Sequence, residues 1–128
     1  MIKNKLNQLK RKLEYHYKKF DAKQIYPDPI IFPRKFKSES DIEISAFISS
    51  IFAYGSVTQI LNSLEIIHNL FGNSPTDFFI NFDSKNHKDF FKNFKHRFYS
   101  GNDVKKLFQI IKYILEEYES IKHLFLLY

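Results

Sequence analysis

Apolar positions recur at helical steps from the start of the chain. Ile2, Leu6, Leu9, Leu13, Tyr17 and Phe20 are three or four residues apart, so a helix over 2–20 lays them on one face. The other face carries Lys3, Lys5, Lys10, Arg11, Lys12, Lys18 and Lys19. Tyr26-Pro27-Asp28-Pro29 leaves this pattern, because proline lacks an N–H and disfavours helix in the residue before it. Phe32-Pro33 prolongs the extended, turn-rich connection. Asp28, between two prolines, reads as a turn residue rather than an acid catalyst.

Ser40 with Glu43 matches a capping box and predicts a helix from about Asp41 to Ala53. That segment is apolar on most sides, as befits a helix at the centre of a domain. Its Ser45, Ser49 and Ser50 are small enough for neighbouring helices to approach closely. Gly55 suits a left-handed C-terminal position. Ser56 and Gln59 then predict a second helix, with Val57, Ile60, Leu61, Leu64, Ile67, Leu70 and Phe71 as its apolar set and Gly72 as its stop. Ser74-Pro75-Thr76-Asp77 supplies a cap, a proline at the first helical position and an early acid, predicting a short helix to about Phe82. Residues 83–93 predict another short helix around Phe90 and Phe91. Ser100 and Asp103 predict a helix through Tyr118, with Val104, Leu107, Phe108, Ile111, Ile114 and Leu115 inward. Ser120 caps a last segment, 121–128.

No stretch alternates with period two, and neither a repeat nor a linker divides the chain. The expectation is an all-α fold: one domain over residues 1–128, of six or seven helices. The apolar ending Leu124-Phe125-Leu126-Leu127-Tyr128 predicts a docked final helix, or a truncated larger domain that meets a second polypeptide or another copy of itself through this segment.

Composition sharpens this picture in three places. A chain of 128 residues with fifteen Phe and eight Tyr has ample material for a core. The absence of Cys excludes disulfides and thiolate metal sites and fits a reducing, cytoplasmic setting. No apolar run approaches the roughly 20 residues of a membrane span, so no membrane partner is expected. The basic amino terminus leads into an amphipathic stretch rather than a signal core. A net charge of +6 permits a polyanionic partner, DNA or RNA, although Lys on solvated helix faces is ordinary.

Enzymatic chemistry is not visible. No two of His16, His68, His87, His96 and His123 share the three- or four-residue spacing of paired helical metal ligands. No Gly-rich phosphate loop, nucleophile elbow or catalytic carboxylate pair occurs. No metal, cofactor or catalytic residue is assigned, and the isolated chain is read as non-enzymatic.

Three segments are candidate nucleic-acid contacts. Phe94-Lys95-His96-Arg97-Phe98-Tyr99 sets Lys95 and Arg97 for phosphate and His96 as a donor or stacking ring. Alternatively it is a turn anchored by Phe94 and Phe98, with Arg97 holding carbonyls or a carboxylate. Arg34, Lys35 and Lys37 form a basic loop that either tracks a phosphate backbone or is simply solvated. Tyr54-Gly55-Ser56 opens a helix N-terminus, where Ser56 consumes one donor as the cap and Tyr54 either stacks on a base or closes the core.

Three of these stretches, taken together, resemble one family. They are Tyr26-Pro27-Asp28-Pro29-Ile30-Ile31-Phe32-Pro33-Arg34-Lys35-Phe36, Ala46-Phe47-Ile48-Ser49-Ser50-Ile51-Phe52-Ala53-Tyr54-Gly55 and Phe94-Lys95-His96-Arg97-Phe98-Tyr99. Their order and spacing are similar to the bacterial family catalogued as Domain of Unknown Function 2400. The likeness runs from about Leu13 to Phe125 and includes Gly72-Asn73-Ser74-Pro75 and Leu115-Glu116-Glu117-Tyr118-Glu119-Ser120-Ile121. It implies longer relatives whose second half is similar to helix-hairpin-helix DNA glycosylases, so this chain resembles an amino-terminal half. It implies that the helices joined at Tyr54-Gly55-Ser56 match early core helices whose turn faces nucleic acid. It gives no catalytic residue to carry over. Two functions follow: a nucleic-acid-binding half-domain, or a protein-interaction or structural module docking through its basic first helix. A truncated remnant without function is the third reading.

Overall fold

The computed structural model describes residues 2–20 and 25–128. Among them seven α-helices follow in chain order: α1 (Ile2–Lys19), α2 (Glu39–Phe52), α3 (Val57–Phe71), α4 (Pro75–Ile80), α5 (Lys88–Asn93), α6 (Gly101–Tyr118) and α7 (Ile121–Leu126). Single 3-10 turns occur at Pro29–Ile31, Pro33–Lys35 and Ser84–His87. The fold is all-α, as its periodicity predicts, with one departure. Lys95–His96 (β1) and Tyr99–Ser100 (β2) pair as a small antiparallel hairpin, Lys95 opposite Ser100 and His96 opposite Tyr99. Strands of two residues are too short to leave a period-two signal.

The caps explain where the helices begin. Asp28 accepts the Ile30 N–H at 2.9 Å, so it is the turn residue expected. α2 starts two residues earlier than Ser40 suggests, because Ser38 is the cap and accepts the Asp41 N–H at 3.2 Å. Glu43, not engaged in a capping box, instead accepts the Lys122 N–H at 2.7 Å and ties the start of α7 to α2. Ser56 caps α3 by accepting the Gln59 N–H, without a return bond from Gln59. Ser74 caps α4 with Pro75 at its first position, and α4 ends at Ile80 rather than Phe82. Ser100 and Asp103 form both halves of a capping box on α6. Ser120 caps α7.

Packing centres on α2 and α6. α2 lies against α3, α4, α7 and the Pro33–Lys35 turn, and α6 against α4, α5 and α7. Ser45 and Ser49 are buried in these contacts, whereas Ser50 is exposed and donates to the Phe47 carbonyl. Phe108 is fully buried, its ring centroid 5.1–6.4 Å from those of Phe71, Phe78, Phe79, Phe82, Phe90 and Phe91. Tilted, edge-on and offset-stacked geometries are all favourable for such rings. Gly101 opens α6 directly against the Phe91 carbonyl, where a Cβ has no room.

Two buried polar groups join elements. Asp41, in the first turn of α2, accepts the Ser74 hydroxyl at 3.0 Å and the Thr76 N–H at 2.9 Å, which holds α4 to α2. His68 of α3 donates from Nδ1 to the Leu64 carbonyl at 2.8 Å and accepts the Ser45 hydroxyl at Nε2, 2.7 Å away. Phe32 stacks on the His68 ring at 4.6 Å.

The two ends of the chain contribute little to this core. α1 buries none of its residues: Ile2, Leu6, Leu9 and Leu13 are 83, 64, 54 and 61% exposed. α7 docks through Ile121 and, partly, Leu124, while Phe125 to Tyr128 lie open. Charge divides in the same way. Residues 1–20 hold seven of the 20 basic groups and one of the 14 acidic groups, so residues 21–128 carry thirteen of each and no net charge. Among the described residues no helix is long and apolar enough to cross a membrane.

Candidate nucleic-acid interface

The hairpin between α5 and α6 is built outward from buried anchors. Phe94 is buried and meets the Phe52 ring edge-on at 6.1 Å. His96 is only 3% exposed, and its Nδ1 is hydrogen-bonded to the Ser63 hydroxyl at 2.7 Å. Its ring also packs edge-on against Phe52 at 5.3 Å. Its Nε2 is buried beside the carbonyls of Phe52 and Tyr54 without a well-formed hydrogen bond. Burial, aided by the charge of Arg97 and opposed by those carbonyls, lowers the His96 pKa. The ring is therefore turned into the protein, where it fixes the hairpin to α3 and to the end of α2.

The tip is held in an uncommon shape. Its two residues are Arg97 and Phe98, and Arg97 has φ +51°, a left-handed value that side chains other than Asn, Asp and His seldom take. Hairpins with two-residue loops need positive φ at the first loop position because of strand twist. Arg97 meets that need at a cost in backbone energy, a combination often found where function fixes the residue. Its guanidinium carbon lies 4.7 Å from the Tyr54 ring centroid and 5.8 Å from that of Phe98. Gly55, at φ +113°, passes directly beneath the Arg97 side chain, and a Cβ there would collide with it.

Tyr54 and Phe98 are 63 and 82% exposed, so both keep free ring surface. Lys95 is exposed on β1. Gln59, Asn62 and Ser63 of α3 line a cleft of about 380 Å³ with Lys95, His96 and Arg97. Ser56 lies at the neighbouring start of α3, with its hydroxyl engaged as the cap. Tyr54, Ser56, Lys95, His96 and Arg97 are thus brought into one region.

Arg34, Lys35 and Lys37 lie elsewhere, on the loop that packs against α2. Lys35 pairs with Glu65 at 3.4 Å and sits 4.8 Å over the Phe32 ring. It lines a different cleft, with Phe36, His68, Asn69, Gly72 and Asn73. Arg34 and Lys37 are exposed. Among the described residues no group of three or more His, Cys, Asp or Glu gathers as a metal site would require.

The sequence pattern does not reveal the role of Phe98. Read as a turn, the segment offers both Phe94 and Phe98 as core anchors. In the hairpin Phe94 points into the core and Phe98 into solvent. Gln59 and Asn62 also escape notice, since they are ordinary polar positions on an amphipathic helix until β1 is laid beside them.

No curated protein and no solved structure matches this chain. A family model described as protein of unknown function (DUF2400) matches residues 28–128, and the chain belongs to that family.

Proposed function

We propose that the chain is a nucleic-acid-binding helical module that takes single-stranded segments on its hairpin face and carries no catalysis of its own. The observation behind this reading is the Arg97 guanidinium set between the Tyr54 and Phe98 rings on a backbone held at positive φ. Exposed aromatic rings stack on unpaired bases, each such contact being worth about 1–3 kcal/mol. Lys95 and Arg97 stand beside those rings, where a phosphate would run. Gln59 and Asn62 offer amide donors and acceptors to a base edge in the cleft.

The family resemblance implies that α2 and α3, joined at Tyr54-Gly55-Ser56, correspond to early core helices of helix-hairpin-helix glycosylases, which agrees with this reading. On it, the chain corresponds to the amino-terminal half of such a domain in the cytoplasm, and any base chemistry comes from residues outside this sequence.

Titration against labelled single- and double-stranded DNA and RNA at two salt concentrations tests it. Phe98→Ala and Arg97→Ala should each weaken single-strand binding about tenfold and change duplex binding little. Charge reversal at Arg34 and Lys37 should weaken binding to all substrates alike and flatten its salt dependence. Single-strand affinity that survives both hairpin substitutions would sink the proposal.

A further inference from the structure

α1 is an 18-residue helix with no buried residue, whereas helices in proteins draw most of their stability from packing an amphipathic face. Its pattern says what could cover it. Placing Leu6, Leu13 and Phe20 at the a positions of a heptad puts Ile2, Leu9 and His16 at d. The apolar members of this seam are all more than half exposed. The e and g positions beside it hold Lys3, Lys5, Lys10, Lys12 and Lys19, with Tyr17 as the sixth. No acidic residue flanks the seam; Glu14 sits at b, 3.9 Å from Lys10.

We propose that α1 is one strand of a two-helix coiled coil whose other strand carries glutamate or aspartate beside its own apolar seam. Residues at e and g face their counterparts across such a seam and set partner choice. A second copy of this chain would bring lysine against lysine in either orientation, so the flanks act against self-pairing. An anionic bilayer would satisfy the charge but not the shape. Apart from Tyr17 at one e position, the apolar stripe is two positions per heptad wide, narrower than the broad face that beds into a lipid interface. His16 is a polar group within the seam, the kind of residue that fixes register.

This inference stands apart from the nucleic-acid reading, since it uses none of the hairpin residues. Its test mixes the full chain with two labelled peptides sharing a leucine seam, one with Glu and one with Lys at every e and g position. Vesicles containing phosphatidylserine and sedimentation of the chain alone complete the set. The Glu peptide should bind at least tenfold more tightly than the Lys peptide, and less tightly as salt rises. Leu6→Asp with Leu13→Asp should abolish that binding while leaving the melt of the chain unchanged, because both residues are exposed. Lys3→Glu, Lys5→Glu, Lys10→Glu, Lys12→Glu and Lys19→Glu together should reverse the preference between peptides. Equal binding of both peptides, or failure of the reversal, would overturn the proposal. So would vesicle binding without peptide preference, or self-association that depends on Leu6 and Leu13.

Discussion

His68 shows how much of this molecule's behaviour is fixed by single buried groups. Burial, with a further push from the charge of Lys35, lowers its pKa from 6.5 to about 4, against the opposing pull of the Leu64 carbonyl and Glu65. Between those values the unfolded chain takes up a proton that the folded chain refuses. Stability from this residue is therefore complete above pH 6.5 and is lost as pH falls towards 4, a change of about 3 kcal/mol. His96 shifts in the same direction, also through burial. Denaturant titrations from pH 7 to 4 should show this slope, and His68→Gln should remove most of it; an unchanged slope would place the titration elsewhere. From sequence His68 is only one of five histidines, none at the three- or four-residue spacing of paired metal ligands. Its actual bond partners, Ser45 and Leu64, depend on how α2 meets α3, which spacing along one helix does not encode.

The elements themselves were largely written in the chain, because caps and periodicity are local. Ser56, Ser74, Ser100 and Ser120 all stand where their helices start. The misplaced start of α2 shows the limit: two serines two residues apart compete, and tertiary contacts decide. Ser38 takes the cap, and Asp41 and Glu43 reach α4 and α7 instead of closing a box with Ser40. The hairpin was not legible, since its order comes from Phe94 and His96 reaching groups far away in sequence. The joint between α2 and α4 makes a prediction at this scale. Asp41→Ala would leave the Ser74 hydroxyl and the Thr76 N–H without their acceptor, costing about 1–3 kcal/mol. The midpoint of urea unfolding should fall with an unchanged slope. Burial raises the Asp41 pKa, but the bonds from Thr76, Ser74 and Ser38 outweigh it and the net shift is downward. Its share of stability is present above the usual carboxylate range and is lost only as pH drops below it.

For the whole molecule, the sequence shows the total charge but not its segregation from the core. The body of residues 25–128 holds every buried residue described, and α1 holds the surplus of positive charge. Removal of residues 1–20 should therefore leave the melting temperature of the body within about 2 °C, as expected for loss of exposed residues alone. A large fall would show that α1 supports the core. The same removal should take away most of the salt-dependent attraction to any polyanion, while hairpin stacking persists. A cationic arm on an electrically neutral body also gives the molecule a strong dipole. On a cation exchanger, a heparin surface or a nucleic-acid contaminant it would adsorb end-on, held by the arm with its body outward. Retention on such a matrix would report the arm and say nothing about the hairpin.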